Sequence, residues 1–308
     1  MIIIAILIDD LHRNLKSSHD HFSHVVQLKR TALEVAEMKN MNQFLRFPNK
    51  KDEEYIAELQ AAIYHFEGEE IGAKTIGRYL SQEKLADFNL VNPYARKDFR
   101  KHLLTEVEDV EGGQFPTGGA IMLATFADHA WACCDRALNF DFDKAKQKIR
   151  NALSGMDYIA AIEAGVYPHT KWTTDGVTGC LVSFHCHAVV WSTSKSVLRR
   201  HQAKIAARFK PVHEDDKKLP FLNNLKTLKD VLTVIRYLTK MTLEGYRRKS
   251  SGTQEHVPLD AGHHYRLFKF LRGRSLFDAW LAGGKGTEVL RHAKKAAMRT
   301  AHAEPMGE

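Results

Sequence analysis

The sequence predicts an α+β protein, an antiparallel sheet with flanking helices that follows a mostly helical N-terminal region. Three observations carry the prediction. Runs rich in β-branched and aromatic residues stand at Ala120–Phe126, Tyr158–Glu163 and Cys180–Trp191. Between the first two lies an amphipathic segment, Phe142 to Leu153, with Phe142, Ala145, Ile149 and Leu153 on one side. Helical periodicity fills the first third and returns after the last strand. Strand, helix, strand, strand, helix is the order of an α+β sandwich.

The elements follow in order. Val25, Val26, Leu28, Leu33, Val35 and Met38 recur at helical intervals, as do Tyr55, Ile56, Leu59, Ala62 and Ile63. A further helix is expected from Tyr94 to Val107. The Gly- and Pro-rich run from Glu111 to Gly119 is the clearest breaker cluster in the chain. It separates an N-terminal extension, residues 1–114, from a core at 115–255. Residues 256–308 read as a basic helical C-terminal region. Within the core, Pro168 to Gly179 supplies the turn residues of a loop or a long hairpin connection. Helices are expected at Ser194–Phe209 and Leu228–Tyr246.

Composition narrows the class. Hydrophobic residues make up 44% and charged residues 27% of 308, which excludes a disordered tail or a fibre. The longest apolar stretch, Met1 to Ile8, falls far short of the ~20 residues of a membrane span. It has no basic residues before it and no small-residue cleavage site after it, so neither a membrane helix nor a secretory signal is expected. Four cysteines without paired C-x-x-C spacing cannot staple a chain of this size, and a reducing cytoplasm is the expected setting.

The formal charge of +8 is unevenly placed. Residues 1–114 carry 15 basic and 19 acidic side chains, and residues 115–194 carry 6 and 7. Residues 195–249 carry 15 and 5. Charge concentrated in the last third fits a polyanion partner better than a uniformly solvated surface does.

His185-Cys186-His187 is the most informative tripeptide. A strand alternates faces every residue, so both imidazoles emerge on one side with Cα atoms ~6.7 Å apart. That spacing lets two ring nitrogens converge on one metal ion, although a pair of structural histidines would share it. Cys186 points to the other face as a small hydrophobe. Glu163 is the lone acidic residue of its apolar stretch, so a metal, a basic partner or water must offset its burial. Two histidines and a carboxylate make a mixed N/O site suited to Mg²⁺ or Mn²⁺ acting on phosphate. A salt bridge to Lys or Arg is the competing explanation for Glu163. Tyr237 and Lys240 stand three apart in the expected helix and would share a face, placing a phenol beside an ammonium group.

In this order, the strand with Thr125, the strand with Glu163, the Phe-His-Cys-His-Ala-Val-Val-Trp strand and the Tyr237-x-x-Lys240 helix resemble the HUH endonuclease superfamily. Specifically, the chain looks like a rolling-circle replication initiator of plasmids and single-stranded DNA phages, over roughly residues 118–250. The resemblance implies site-specific nicking of single-stranded origin DNA. His185 and His187 would be metal ligands, Glu163 the third, and Tyr237 the nucleophile that becomes linked to the 5′-phosphate. The freed 3′-OH would prime replication, with a host helicase and polymerase as further partners. Lys240 would hold a phosphate oxygen or the leaving group.

Met241 occupies the place of the second tyrosine found in phage-type members, so a single-tyrosine enzyme is expected, with Tyr246 in reserve. Single-tyrosine transposases share the catalytic order. Conjugative relaxases place the tyrosine before the histidines. A non-catalytic DNA-binding protein of the same fold is the alternative of a different class, as is an unrelated metal-dependent hydrolase. Gly283-Gly-Lys-Gly-Thr287 lacks the spacing of a phosphate loop, so no ATPase is read. His263-His264 reads as an ordinary loop or helix start.

Overall fold

The computed structural model describes residues 50–109, 120–192, 196, 208–212, 221–240, 243–249 and 254–302. The expected helices between Val25 and Met38, the breaker cluster at 111–119 and nearly all of the helix expected at Ser194–Phe209 lie outside these residues. Lys50 onward forms one unit.

Two helices open it, α1 (Lys50–Glu67) and α2 (Glu69–Tyr79), and a 3-10 turn leads to α3 (Pro93–Asp109). Along α3, Ala95, Phe99, Leu103, Leu104 and Val107 are buried at helical spacing, so one stripe faces inward as the sequence pattern requires. Strand β1 (Ala120–Cys134) is followed by α4 (Phe142–Ala152), whose first turn is capped by Asp141 accepting from the backbone N–H of Asp143 and Lys144. Next come β2 (Asp157–Thr174) and β3 (Val177–Ser192), both longer than their apolar runs. They form one antiparallel hairpin that turns at Asp175 and Gly176, both at positive φ (49° and 78°). Asp-Gly suits this turn because its backbone twist matches that of the flanking strands.

After β4 (Phe221–Leu225), helix α5 (Leu228–Leu238) starts at a capping box between Thr227 and Asp230. Strands β5 (Glu244–Arg248) and β6 (Gln254–Val257), helix α6 (Ala261–Leu271), strand β7 (Trp280–Gly283) and helix α7 (Gly286–His302) complete the described residues. The sheet runs β4-β1-β3-β2-β5-β6, with β7 also paired to β2. All pairings are antiparallel except the short one between β2 and β5. The α+β class with a mostly antiparallel sheet and flanking helices is what the sequence predicted.

One expected helix is corrected. Leu228–Tyr246 is helical only to Leu238, and Tyr246 lies on a strand. Thr239 turns its hydroxyl back onto the carbonyls of Ile235 and Arg236, and β5 then gains a partner in β2 at Gly165 and Val166. Pairing with the sheet overrides a helical pattern that was continuous in sequence. The region expected to be helical at 256–308 is likewise not only helical in its described residues, 256–302. They supply β7 to the edge of β2, and α7 packs along α3.

The core lies on both sides of β3. Phe184 and Cys186 face α4, where Phe184 stacks on Phe140 at 4.1 Å and meets the edge of Phe142. Burying rings of this size contributes roughly 2–3 kcal/mol each. His185 and His187 face the opposite way, toward α5, which packs against α3. No helix among the described residues is long and apolar enough to cross a membrane.

Candidate metal and tyrosine site

The register of the three central strands builds the site. Glu163 on β2 pairs directly with His185 on β3, and Thr125 on β1 pairs directly with His187. Residues paired across a ladder project to the same face. The neighbours completing these rows are Ala161, opposite His187, and Ala127, opposite His185, and neither fills the space above the histidines. One ligand atom each from Glu163, His185 and His187 falls within 4.8 Å of the other two. His185 Nε2 stands 3.9 Å from Glu163 Oε2.

The hydrogen bonds fix how the imidazoles present themselves. His185 Nδ1 is 3.3 Å from the carbonyl of Ser183, which can only accept, so the proton sits on Nδ1 and the Nε2 lone pair is free. His187 Nδ1 is 2.8 Å from Thr125 Oγ1; with that nitrogen donating, Nε2 is again the free atom. His187 Nε2 and Glu163 Oε1 are buried with no hydrogen-bond partner, while Glu163 Oε2 faces only an ammonium group at 3.2 Å. Orphaned buried acceptors converging on one point are costly unless a cation joins them. The donor set therefore fits a divalent ion.

Burial pushes the Glu163 carboxyl up to about 7, against the pull of Lys240 and Arg96. Burial also brings His185 down to about 4 and holds His187 well below its ordinary value, helped there by His185 and Lys240. Both histidines are thus neutral near pH 7, the form that ligates metal.

Tyr237 and Lys240 reach the same place by different routes. The Tyr237 ring stands edge-on to His187, with centroids 5.2 Å apart. Lys240 lies just past the end of α5, not on its face, so the expectation of a shared helix face is corrected. Released from helical geometry, its ammonium group lies 3.8 Å from the centroid of the Tyr237 ring. It stands 3.2 Å from Glu163 Oε2 and 2.8 Å from Glu244 Oε2. The salt bridge weighed against a metal at Glu163 is therefore present, and Lys240 has Glu244 as a second anchor. Burial opposes the charge on Lys240, but Glu163, Tyr237 and Glu244 outweigh it and leave its pKa raised. Burial first, and then Glu163, raises the Tyr237 phenol, while Lys240 works the other way.

Tyr246 is committed elsewhere. Its hydroxyl donates to Glu244 Oε2, and its ring packs against Tyr167 and His256. Burial and that hydrogen bond raise its pKa strongly. Two contributors were not singled out in sequence. Glu244 anchors both Lys240 and Tyr246. Arg96, on α3, donates from its guanidinium to the carbonyls of Leu90 and Lys240 at 2.7 Å each, so the N-terminal helical region holds the loop that carries Lys240. A half-buried arginine in a region of mixed charge leaves no periodic signal that would mark it.

Of the basic residues flanking the tyrosine, Arg199, Arg200 and Lys204 lie outside the described residues. Arg208, Lys210, Arg247 and Lys249 are exposed. Lys249 pairs with Glu255 at 3.1 Å, and Arg247 Nη2 lies 3.0 Å from His169 Nε2. Compared with known proteins, the chain matches no family model, no curated protein and no solved structure.

Proposed function

We propose that this protein is a metal-dependent, single-tyrosine DNA-nicking enzyme that initiates replication at an origin in single-stranded DNA. The observation that carries the proposal is the convergence of Glu163, His185 and His187 beside Tyr237, with Lys240 against the tyrosine ring. Glu163, His185 and His187 would hold Mg²⁺ or Mn²⁺. Such an ion supplies Lewis-acid withdrawal of charge from a scissile phosphate.

The chain's own residues account for the rest. Tyr237 Oη attacks the phosphorus, a bond forms from the phenol oxygen to the 5′-phosphate, and the bond to the 3′-oxygen breaks. The phenolic proton passes to solvent, and the departing 3′-oxygen takes a proton from solvent to leave as a 3′-OH. Burial makes the phenolate costly, and the ammonium of Lys240 offsets that cost at the moment of attack. Thr125 and the Ser183 carbonyl hold the imidazoles in the tautomer that leaves Nε2 free. Exposed basic side chains such as Lys210 and Arg247 suit contact with the DNA backbone, which gives affinity without sequence information.

The test is a covalent adduct. Incubated with Mn²⁺ and labelled single-stranded origin DNA, the wild-type protein is expected to form a protein–DNA species that survives denaturation. Tyr237→Phe should abolish it while DNA binding persists. Adduct that persists in Tyr237→Phe and disappears in Tyr246→Phe would reassign the nucleophile. Binding without cleavage across a library of origin sequences would favour the non-catalytic reading.

A further inference from the structure

A second group of ligating side chains lies apart from the tyrosine site. Asp135 follows the end of β1, Cys180 lies in β3, and His263 lies in the first turn of α6. One ligand atom from each lies within 4.8 Å of the other two. Asp135 and His263 are buried, at 3% and 6% exposure, and Cys180 is half-buried.

The three positions are built with care. The backbone N–H of Cys180 donates to Asp135 Oδ1 at 2.8 Å, which aims Oδ2 at the gap. Gly179 permits that approach, because a Cβ there would stand 2.3 Å from Asp135 Oδ1 and 3.0 Å from Cys134 Sγ. Asp260 lies on the Nδ1 side of His263, with Oδ1 at 2.7 Å, an ion-pair contact not aligned as a hydrogen bond, and the same oxygen accepts from the His263 backbone N–H at 2.8 Å. That leaves Nε2 buried, without a hydrogen-bond partner, and 3.8 Å from Asp135 Oδ2. At this distance the two atoms are too far apart for a hydrogen bond, and the guanidinium of Arg266, 2.8 Å from Oδ2, offsets the carboxylate's charge while His263 Nε2 stays without a partner. The edge of a tetrahedral zinc site is about 3.5 Å, from bonds of ~2.0–2.3 Å, so a small closure of the three side chains would suffice.

We propose that Asp135, Cys180 and His263 form a second divalent-metal site, selective for Zn²⁺ or a similar borderline-soft ion, which clamps α6 onto the ends of β1 and β3. Sulfur, nitrogen and oxygen donors together set it apart from the all-N/O set at Glu163. On binding, Cys180 releases its thiol proton to solvent and gives up its 3.2 Å hydrogen bond to the carbonyl of Pro168. Arg266, 2.8 Å from Asp135 Oδ2 and a third exposed, withdraws from that oxygen toward solvent. A water would complete four ligands.

Co²⁺ titration of the chelator-stripped full chain tests this, because a thiolate ligand gives a near-ultraviolet charge-transfer band that the site without sulfur cannot. The band is expected in the wild type and in His187→Gln, and should be lost in Cys180→Ser. Absence of the band from the wild type, or its persistence in Cys180→Ser, overturns the proposal and leaves Asp135 and Arg266 as a simple ion pair. A measurement without variants guards against misfolding. Zn²⁺ at a hundred times its Kd should slow alkylation of Cys180 by about a hundredfold, as mass action requires. Equal alkylation with and without Zn²⁺ would also overturn it. Neither outcome bears on DNA nicking.

Discussion

Glu163 and Asp135 are both carboxylates buried at the central strands, each beside a cation, yet their surroundings leave them in opposite conditions. Asp135 accepts from a backbone N–H through Oδ1 and faces a guanidinium at 2.8 Å through Oδ2. Glu163 has the ammonium of Lys240 3.2 Å from Oε2 but no backbone N–H, and its Oε1 is left without a hydrogen bond. A satisfied carboxylate holds elements together, and an ion arriving there must displace a good partner. An unsatisfied one keeps an open coordination position and a raised pKa, which is the condition of a reactive site. The difference comes from backbone: beside the irregularity between Tyr167 and Lys171, the Cys180 N–H of β3 turns to Asp135, whereas Glu163 sits in the regular ladder, where each N–H is taken by the neighbouring strand.

The largest expected effect breaks the comparison outright. His187→Gln should reduce Mn²⁺-dependent adduct formation by about a thousandfold, the several kcal/mol that a Lewis acid supplies. The same variant should leave the Co²⁺–thiolate band at Cys180 unchanged. Loss of both signals together would mean that the two clusters are not independent.

The next effect concerns pH. Glu163 is raised from 4.5 to about 7 on folding, so the folded state binds its proton more tightly than the unfolded state does. Stability from this group is therefore full below about 4.5 and is lost as pH rises through 7, by roughly 3 kcal/mol at most. His185, lowered from 6.5 to about 4, acts oppositely and costs stability as pH falls from 6.5 through 4. Metal-free Glu163→Gln should accordingly be more stable than the wild type at pH 8 and no different at pH 4 in thermal melts. With Mn²⁺ the order at pH 8 should reverse. A Glu163→Gln protein that is less stable than the wild type at pH 8 without metal would show that the Lys240 ion pair outweighs burial.

Smaller effects sharpen the roles of the supporting groups. Thr125→Val removes the partner of His187 Nδ1 and should weaken Mn²⁺ binding ~10- to 100-fold, measured by calorimetry. Tyr246→Phe removes one hydrogen bond to Glu244 and should lower stability by about 1 kcal/mol while leaving the adduct intact. An adduct lost in Tyr246→Phe would move the chemistry away from Tyr237.

Particular residues show how much was legible. The amphipathic helix Phe142–Leu153 and the Pro93–Asp109 helix follow from local spacing, because each buries one stripe of its own surface. The helical pattern over Leu228–Tyr246 runs on past the true helix end at Leu238, because strand pairing with β2 overrides it. The pattern therefore does not place Lys240, whose reach depends on having left the helix. His263 and His264 stand at a helix start, one of the two places their sequence suggests, and their burial in that first turn of α6 has no local signal.

By itself the sequence determined that His185 and His187 share a face and Cys186 takes the other, since the two-residue period of a strand belongs to its backbone and needs no partner. It also determined where positive charge accumulates. Tertiary structure decided the pairing of Glu163 with His185, the release of Lys240 toward Glu163, and the meeting of Asp135, Cys180 and His263 from three separate elements. Such encounters depend on strand register and on which edge a segment joins. Those are set by the free energy of distant contacts, and no local period encodes them.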